Sequence, residues 1–511
     1  MSRRDIYVYG LPVDAAGDAV QTNVAAGPTT EVRFGQAWPL RLAVPITWTV
    51  DAFIGDSIGG RSIPTFGALR IANDDGALDD WLARAWDGRE INILAPSPGA
   101  EVLDEFLVVG MTDQPTGDAA AITLPLRDAG ALFDRPVQPH RYLGTGEYEG
   151  TVELEGGAKP LVLGRVTTIE PVLLNATKFA YQVHDGAIES AGFSVRERGV
   201  AFTTYIAVSD VFTWDATGHG GAVAVDYARG VFRLATAPQG VITCDVRAFR
   251  TLYDGLNATH ANLARWAMES AAIGVAIDVG AMSALNTAMP DTLCGCYVRE
   301  SQTLASVLDA IATSCGALWT VSQTGLFSVR VVAWGSSVDT IGPASIVAPP
   351  ARVTTDPPAW RVTARYARRY RPLTPTDFGA SAVTPAQREI LGQEWSARVL
   401  DAEGPGGGVR TRHPLARDLT IDMMFGDYSG AQPELERRAA LMIRDRDRLT
   451  VTVWGAYGRY HLGDTVTVRY PRYGLDAGKQ FLVLGLDESV ALDTDADRTT
   501  LRLWGPKAMD E

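Results

Sequence analysis

The amino-acid sequence predicts a mainly β, multidomain protein of the α+β kind, with a few helices among many short strands. Three observations carry this prediction. A chain of 511 residues exceeds what one hydrophobic core organises, so about three or four domains are expected. Its 51 Gly and 28 Pro leave apolar runs of strand length between turns. Helical spacing of apolar residues is confined to four segments.

Taken in order, residues 1–50 alternate as strands do. Val32, Phe34 and the run PLRLAVPITWTV (39–50) read as β, with Pro39 and Pro45 marking breaks or edges. FGALRIAN (66–73) is a strand and DDG (74–76) a turn. ALDDWLARAW (77–86) puts Leu78, Trp81, Leu82 and Ala85 at helical spacing, with Asp75 or Asp74 as its cap. EINILA (90–95) is a further strand, and EFLVVGMTD (105–113) with AAITLPLRD (120–128) a hairpin. These elements make a first β-domain with one helix, residues 1–142.

Residues 142–160 are rich in Gly and Glu and read as a linker. Strands then recur with turn signals every 8–12 residues: VTTIEPVLLN (166–175), FAYQVHDG (179–186), AVAVDYARGVFRLA (222–235) and GVITCDVRAF (240–249). Residues 143–252 are thus a small inserted β module. Residues 258–281 predict a helix with Leu263, Trp266, Ala267 and Ala271 on one face. Residues 303–316 predict another, capped by Thr303 or Ser301, striped by Leu304, Val307, Leu308 and Ile311, and ended by Gly316. ALWTVSQTGLFSVRVVAW (317–334) is a hairpin turning at Gly325. Residues 253–345 are therefore a helix-helix-hairpin domain.

Residues 343–358 form a Pro-rich joint into the last domain, 346–511. WRVTARYARRYRP (360–372) is a strand, 373–417 a long surface loop containing EGPGGG, and 433–448 an amphipathic helix. LTVTVWG (449–455), GDTVTVRYPR (463–472), FLVLGLDE (481–488) and TTLRLWG (499–505) follow as strands, the last three as a closing antiparallel meander.

Charge and motifs remove several function classes. The formal net charge of −14 argues against binding nucleic acid by phosphate neutralisation. No apolar run approaches the roughly 18 residues of a membrane helix, and MSRRDIYVYGLPVD lacks the apolar core of a secretory signal, so synthesis in the cytoplasm is expected. IANDDGALDD fails as a calcium loop, because its first and twelfth positions, aligned on Gly76, are Ile71 and Leu82. No nucleophile elbow and no phosphate loop is present. The six histidines are scattered, none with a partner at helical spacing. Cys244, Cys294, Cys296 and Cys315 read as buried, inert thiols, so no metal, cofactor or catalytic residue is expected. The twelve Trp lie mostly in apolar periodic runs, as core or interface anchors.

The densest basic cluster is Arg365, Arg368, Arg369 and Arg371, and 433–448 carries Arg437, Arg438, Arg444, Arg446 and Arg448 on what reads as one face. A solvated strand edge would explain the first cluster. Interfaces favour Arg, however, and Arg365, Arg368, Arg369, Arg371, Arg437 and Arg444 are the expected subunit contacts.

The order FGALRIANDDGALDDWLARAWDGR, then LARWAMESAAIGVAIDV and VRESQTLASVLDAIATSCGALWTVSQTGLFSV, then ELERRAALMIRDRDRLTVTVWG, HLGDTVTVRYPRYGLDAGKQFLVLGLDE and TTLRLWG resembles the tail hub proteins of long-tailed bacteriophages. These belong with the baseplate hub of contractile phages and the hub region of VgrG spikes. KPLVLGRVTTIEPVLLNATKFAYQVHDG (159–186) is similar to a module recurrent in such phage proteins. The resemblance covers most of the chain outside residues 143–252. It implies two tail-tube-like β-barrels per subunit, with candidate strands in 32–50 and 105–128 for the first and in 360–372 and 449–505 for the second.

The resemblance also implies a non-enzymatic virion protein of the tail tip: a homotrimer whose six barrels ring a channel. Expected partners are the tail tube or distal tail protein above, tip or fibre proteins below and the tape-measure protein inside. DNA passes without specific binding, and no direct membrane insertion is expected. Three copies of −14 carry −42, which repels phosphates wherever it lines the bore. The sequence ends after TTLRLWGPKAMDE without the long C-terminal extension of larger relatives, so a separate protein is expected to supply fibres. The alternative is a phage-associated cell-wall or polysaccharide hydrolase, which needs one cleft with convergent carboxylates.

Overall fold

Most of the alternating runs become strands in a computed structural model of the protein, which describes residues 5–507 except 27–31, 34, 44–45, 53–58, 63, 97–104, 249–256, 291–293, 380–381, 403–407, 456 and 491–496. Near the N-terminus, Ile6–Gly10 pairs antiparallel with Thr22–Ala26 on one side and Glu90–Ala95 on the other. Glu90–Ala95 pairs with Glu105–Thr112, which meets Ala121–Arg127, which pairs with Ala68–Ala72. Residues 39–43 bridge the remaining gap. The Ala25 N–H donates to Pro39 O and the Arg41 N–H to Ala25 O, while the Ala43 N–H donates to Arg70 O and the Ala72 N–H to Arg41 O. The sheet so closes into a cylinder filled by Ile6, Val8, Leu69, Ile71, Ile91 and Ile93.

The helix expected over 77–86 is only a 3-10 turn, Asp79–Ala83. Arg84 is extended, and the Trp86 indole N–H donates to Trp81 O at 2.9 Å, folding the chain back so that both Trp side chains bury. Asn73 holds this turn, accepting from the Leu78 N–H and donating to Asp79, both at 2.8 Å. Asp75 accepts from the Ala77 N–H at 3.2 Å and also pairs with Arg41 at 2.6 Å.

The inserted module is a sandwich of two five-stranded sheets around Val162, Val195, Val223, Phe232 and Val246. Gly295–Val298, from beyond the insert, pairs with its strand Leu161–Ile169. The stretch read as a linker, 142–160, is ordered. Tyr142 is buried, and the 3-10 turns Glu147–Glu149 and Val152–Leu154 are connected by glycines at positive φ.

The single helix expected over 258–281 is two. His260–Ala271 ends at Ala272, which is left-handed, and Ala276–Ile277 then pairs with the hairpin strand Leu326–Val331. Asp278 caps the second helix, Val279–Ala288. Helix Leu304–Ser314, capped by Thr303, and hairpin Ala317–Val321/Leu326–Val331 stand as expected, with Gly325 at φ +76° in the turn.

In the last domain Arg446–Trp454, Arg498–Pro506, Leu475–Val490 and Thr465–Tyr470 form an antiparallel meander. One continuous stretch joins its two edges: Asp339–Ile341 pairs parallel with Thr465–Tyr470, Ile346 bridges Val453, and Ala351–Asp356 pairs antiparallel with Arg446–Trp454. This second cylinder encloses Leu449, Val451, Val466, Phe481, Leu501 and Leu503. Strand Ala359–Tyr366, expected in it, lies instead between Ser396–Asp401 and Arg417–Asp422 in a separate three-stranded sheet. Its Val362, Ala364 and Tyr366 bury against Leu435 and Ala439 of helix Tyr428–Met442.

That helix starts earlier than expected, at the cap Asp427, and ends before Arg444. Arg446 and Arg448 belong to the following strand, so the five arginines do not share a helix face. The stretch read as a loop, 373–417, holds helix Pro385–Gly392 and strand Ser396–Asp401; residues 403–407 of EGPGGG lie outside the described residues. The helix start was legible: Thr384-Pro385-Ala386-Gln387 is a capping box with Pro at the first helical position. Among the described residues no helix is long and apolar enough to cross a membrane.

Candidate functional site

The two cylinders are joined by a strand. Ile46–Asp51 follows the closing segment of the first cylinder but pairs antiparallel with residues 485–490 of the second. Of the stretch 32–50 expected in the first barrel, only residues 39–43 therefore lie in it; Val32–Arg33 and Gln36–Ala37 pair with each other in a separate two-stranded sheet. The 16-residue strand Leu475–Val490 makes this possible. Its first half, up to Leu482, pairs with Thr465–Tyr470 and its second half with Ile46–Asp51, while Arg498–Pro506 pairs along its other edge over residues 482–489, across the change of partner. The register shifts between Val483 and Gly485, where the partner changes. A Cβ at Gly485 would meet the Arg502 and Asp51 side chains, so a larger residue there would displace their ion pair. Arg502 staples the joint. It pairs with Asp51 at 2.6 Å and with Asp487, and donates to Val50 O at 3.3 Å. On the other face Trp48 and Val50 bury in the second core, while Ile46 buries in the first.

A buried ion cluster ties helix Tyr428–Met442 to the helix-hairpin domain. Glu434 and Arg438 pair at 2.5 Å, and Arg437 reaches Glu434 at 2.7 Å. Arg438 also donates to Thr313 O, and Arg437 to Cys315 O at 3.1 Å and to Val332 O. These guanidinium groups satisfy carbonyls at the end of helix Leu304–Ser314, where the helix dipole also favours positive charge. Gly316, expected as the helix stop, has φ +56°, and a Cβ there would lie 2.2 Å from Arg437 Nη2.

Five of the six arginines expected at subunit contacts are engaged within the chain. Arg365 pairs with Asp422 at 2.5 Å and Arg368 with Glu394 at 3.0 Å, and both guanidinium groups lie over the Trp395 ring. Arg369 is buried, donating to Gln393 O and Ser396 Oγ. Arg371 faces Glu170 at 3.6 Å and Asp377 at 3.8 Å. Arg437 is spent on Glu434, and Arg444 is exposed.

Cys244, Cys294 and Cys315 are buried and Cys296 is half-buried. Cys294 Sγ lies 3.1 Å from His260 Nδ1, and Ser314 Oγ lies 2.8 Å from His260 Nε2 while accepting from the Met424 N–H. Burial pushes the His260 imidazole down to about 4 and the Cys294 thiol well above its usual range. Both are neutral near pH 7, so this is not the thiolate–imidazolium pair of a nucleophile. Sequence spacing did not foretell it, since His260 and Cys294 are 34 residues apart. Among the described residues, no three His, Cys, Asp or Glu side chains group as a metal site.

Several clefts open between modules among the described residues, and two of them are rich in aromatic side chains. One, of about 350 Å³, lies where Phe106, Leu326, Trp48, Tyr457 and His461 meet, with Asp278 as its lining carboxylate. The other, of about 310 Å³, is lined by Cys296, Arg368, Tyr370 and Trp395, with Asp309 and Asp422. Asp309 pairs with Arg61 at 2.9 Å and accepts from the Trp319 indole at 2.7 Å, and Asp422 is held by Arg365. Neither cleft presents two carboxylates free to share acid and base roles.

No family model and no curated protein matches the chain. Solved structures to which it is similar include the 43 kDa tail protein of prophage MuSo2 from Shewanella oneidensis, at 10% identity over 100% of both chains and a TM-score of 0.41. A tail protein from Neisseria meningitidis MC58 is 12% identical over 98% of this chain and 96% of that one, with a TM-score of 0.43. A chain of a native gene transfer agent virion is 15% identical over 69% of this chain and 85% of that one, with a TM-score of 0.42. At these TM-scores the likenesses carry no weight for function.

Proposed function

We propose that the protein is a structural, non-enzymatic subunit of a bacteriophage tail tip, in which three copies set six β-cylinders in a ring around an open bore. The observation that carries this reading is two closed cylinders in one chain, tied by strand Ile46–Asp51 and stapled by Arg502. Two such units held in a fixed relation give a trimer six similar walls, which is the geometry needed to join a sixfold tube to a threefold tip. The resemblance of the sequence to tail hub proteins supports the same reading. The tail tube or distal tail protein would sit above, tip or fibre proteins below, and the tape-measure protein inside. The acidic balance of the chain, −14 per copy, suits a wall past which DNA slides.

The test is the mass of the purified protein in solution by light scattering or native mass spectrometry, with localisation of the subunit in tail particles. A species of three times 54.8 kDa, present at the tip, is the expected result. Arg444→Glu is expected to weaken that trimer, and Arg365→Glu, whose partner is internal, to leave it less affected. A monomer at tens of micromolar that is absent from virions overturns the reading. Release of sugars from peptidoglycan or capsule, abolished by a single carboxylate substitution, would favour the hydrolase alternative.

A further inference from the structure

We propose that Glu488 and loop residues 457–460, ahead of strand Thr465–Tyr470, form a proton-sensitive clasp between the two cylinders, closed when Glu488 is protonated and loosened when it ionises. Glu488 lies on the half of strand Leu475–Val490 that carries the joining strand, directly across from Trp48 on one side and Thr499 on the other. It is buried in the joint. Its carboxyl receives the Gly458 N–H at 3.2 and 3.4 Å and the Thr499 hydroxyl at 3.3 Å. One residue before Gly458, the Tyr457 hydroxyl donates at 2.6 Å to Leu107 O, in strand Glu105–Thr112 of the first cylinder. The loop thus grips the first cylinder by Tyr457 and the second by Gly458. At its far end it is pinned to Asp339 by Arg459 at 3.0 Å and Tyr460 at 2.6 Å.

The surroundings supply little charge to hold Glu488 ionised. On the joining strand its neighbours Ile46, Trp48 and Val50 carry none. On strand Arg498–Pro506 the facing groups are Thr499 and Leu501, while Arg498 stacks over Trp454 and Arg502 is committed to Asp51 and Asp487. Asp497, buried two residues before Thr499, is an acid. From the loop comes His461, half exposed and 3.6 Å from Asp464. Burial outweighs the hydrogen bonds and His461, and pushes the Glu488 carboxyl up to about 7.

Unfolded, the group releases its proton near the ordinary 4.5; folded, near 7. Between these values the folded state binds more protons, so the clasp weakens as pH rises through that window. Above it a desolvated carboxylate remains, and hydrating it favours opening the loop. The protonated acid keeps one oxygen for the Gly458 N–H and can direct its own proton to a neighbour.

Arg459, exposed on the loop, makes opening measurable, because cleavage after it needs the neighbouring residues in extended form, which the contacts of Tyr457, Gly458 and Tyr460 oppose until the loop opens. The full-length protein is nicked at pH 6.0, 7.0 and 8.5, with trypsin activity at each pH normalised on a small peptide substrate. Cutting after Arg459 is expected to rise several-fold from pH 6.0 to 8.5 in the native protein and to stay flat in Glu488→Gln. Tyr457→Phe keeps the acid and loses the grip on Leu107, so it is expected to cut faster at every pH and to retain the rise. It also serves if Glu488→Gln does not fold. Equal pH dependence with and without Glu488 overturns the proposal, as does a flat profile in the native protein. The assay needs no tail particle, so its outcome is independent of the proposed role in the virion.

Discussion

Glu434 and Arg438 stand one turn apart on helix Tyr428–Met442, each about 1% exposed, with Oε1 and Nε 2.5 Å apart. A pair removed so completely from water survives because each member has further partners: Arg437 for the acid, and Thr313 O for the base. Desolvation of such a pair is costly, and removing one member strands the other. Arg438→Ala is therefore expected to destabilise the protein by about 3–5 kcal/mol. The double change Glu434→Leu/Arg438→Met should cost less than either single change, as urea midpoints will show. Equal or larger loss in the double variant would refute this account.

The joining strand makes a second prediction. Trp48 is buried in the second core from a strand that arrives from the first, and truncation of a buried Trp costs about 3–5 kcal/mol. Trp48→Ala should also lower the urea m-value or split the transition, since the two cylinders would lose their common strand. A single transition of unchanged slope would mean that the cylinders are coupled elsewhere.

Acid sensitivity follows from two buried histidines. His184 and His260 are both pushed by burial down to about 4, below the ordinary 6.5. Unfolded, they take up protons near 6.5; folded, they resist until about 4, so stability is lost as pH falls through that window. Each can contribute roughly 2–3 kcal/mol to that loss. Glu488 acts in the opposite direction between about 4.5 and 7, partly offsetting it. His260→Gln should flatten the acid side of a plot of melting temperature against pH. A variant with the same acid slope as the native protein would rule His260 out.

The thiols give the simplest measurement. Cys244, Cys294 and Cys315 are buried, and burial pushes the Cys296 thiol up to about 11. A thiol reagent at pH 8 is expected to modify at most one site in the native protein, slowly and at Cys296, and four after denaturation. Rapid native labelling at Cys294 would show that the His260 environment is open to solvent.

Period and punctuation in the sequence determined most elements. The strand EINILA, alternation in the final meander, the Thr303 cap with the Leu304/Val307/Leu308/Ile311 stripe, and the turn at Gly325 all stand where local pattern put them. Local pattern carries this because strand alternation and helix caps are set by neighbours a few residues away. Tertiary structure alone decided where strands pair. Ile46–Asp51 alternates equally well in either cylinder, and its long edge partner is a 16-residue strand more than 400 residues downstream, with only the short Thr65–Phe66 pairing on its other side. Strand Ala359–Tyr366 likewise could join the second meander by pattern, but helix Tyr428–Met442 takes its apolar face. Ion pairs follow the same rule, because an Arg in sequence shows its charge and not whether Asp422 or Glu434 will meet it inside the same chain. Partner choice between distant segments depends on the whole set of faces left uncovered, a quantity no short window of residues contains.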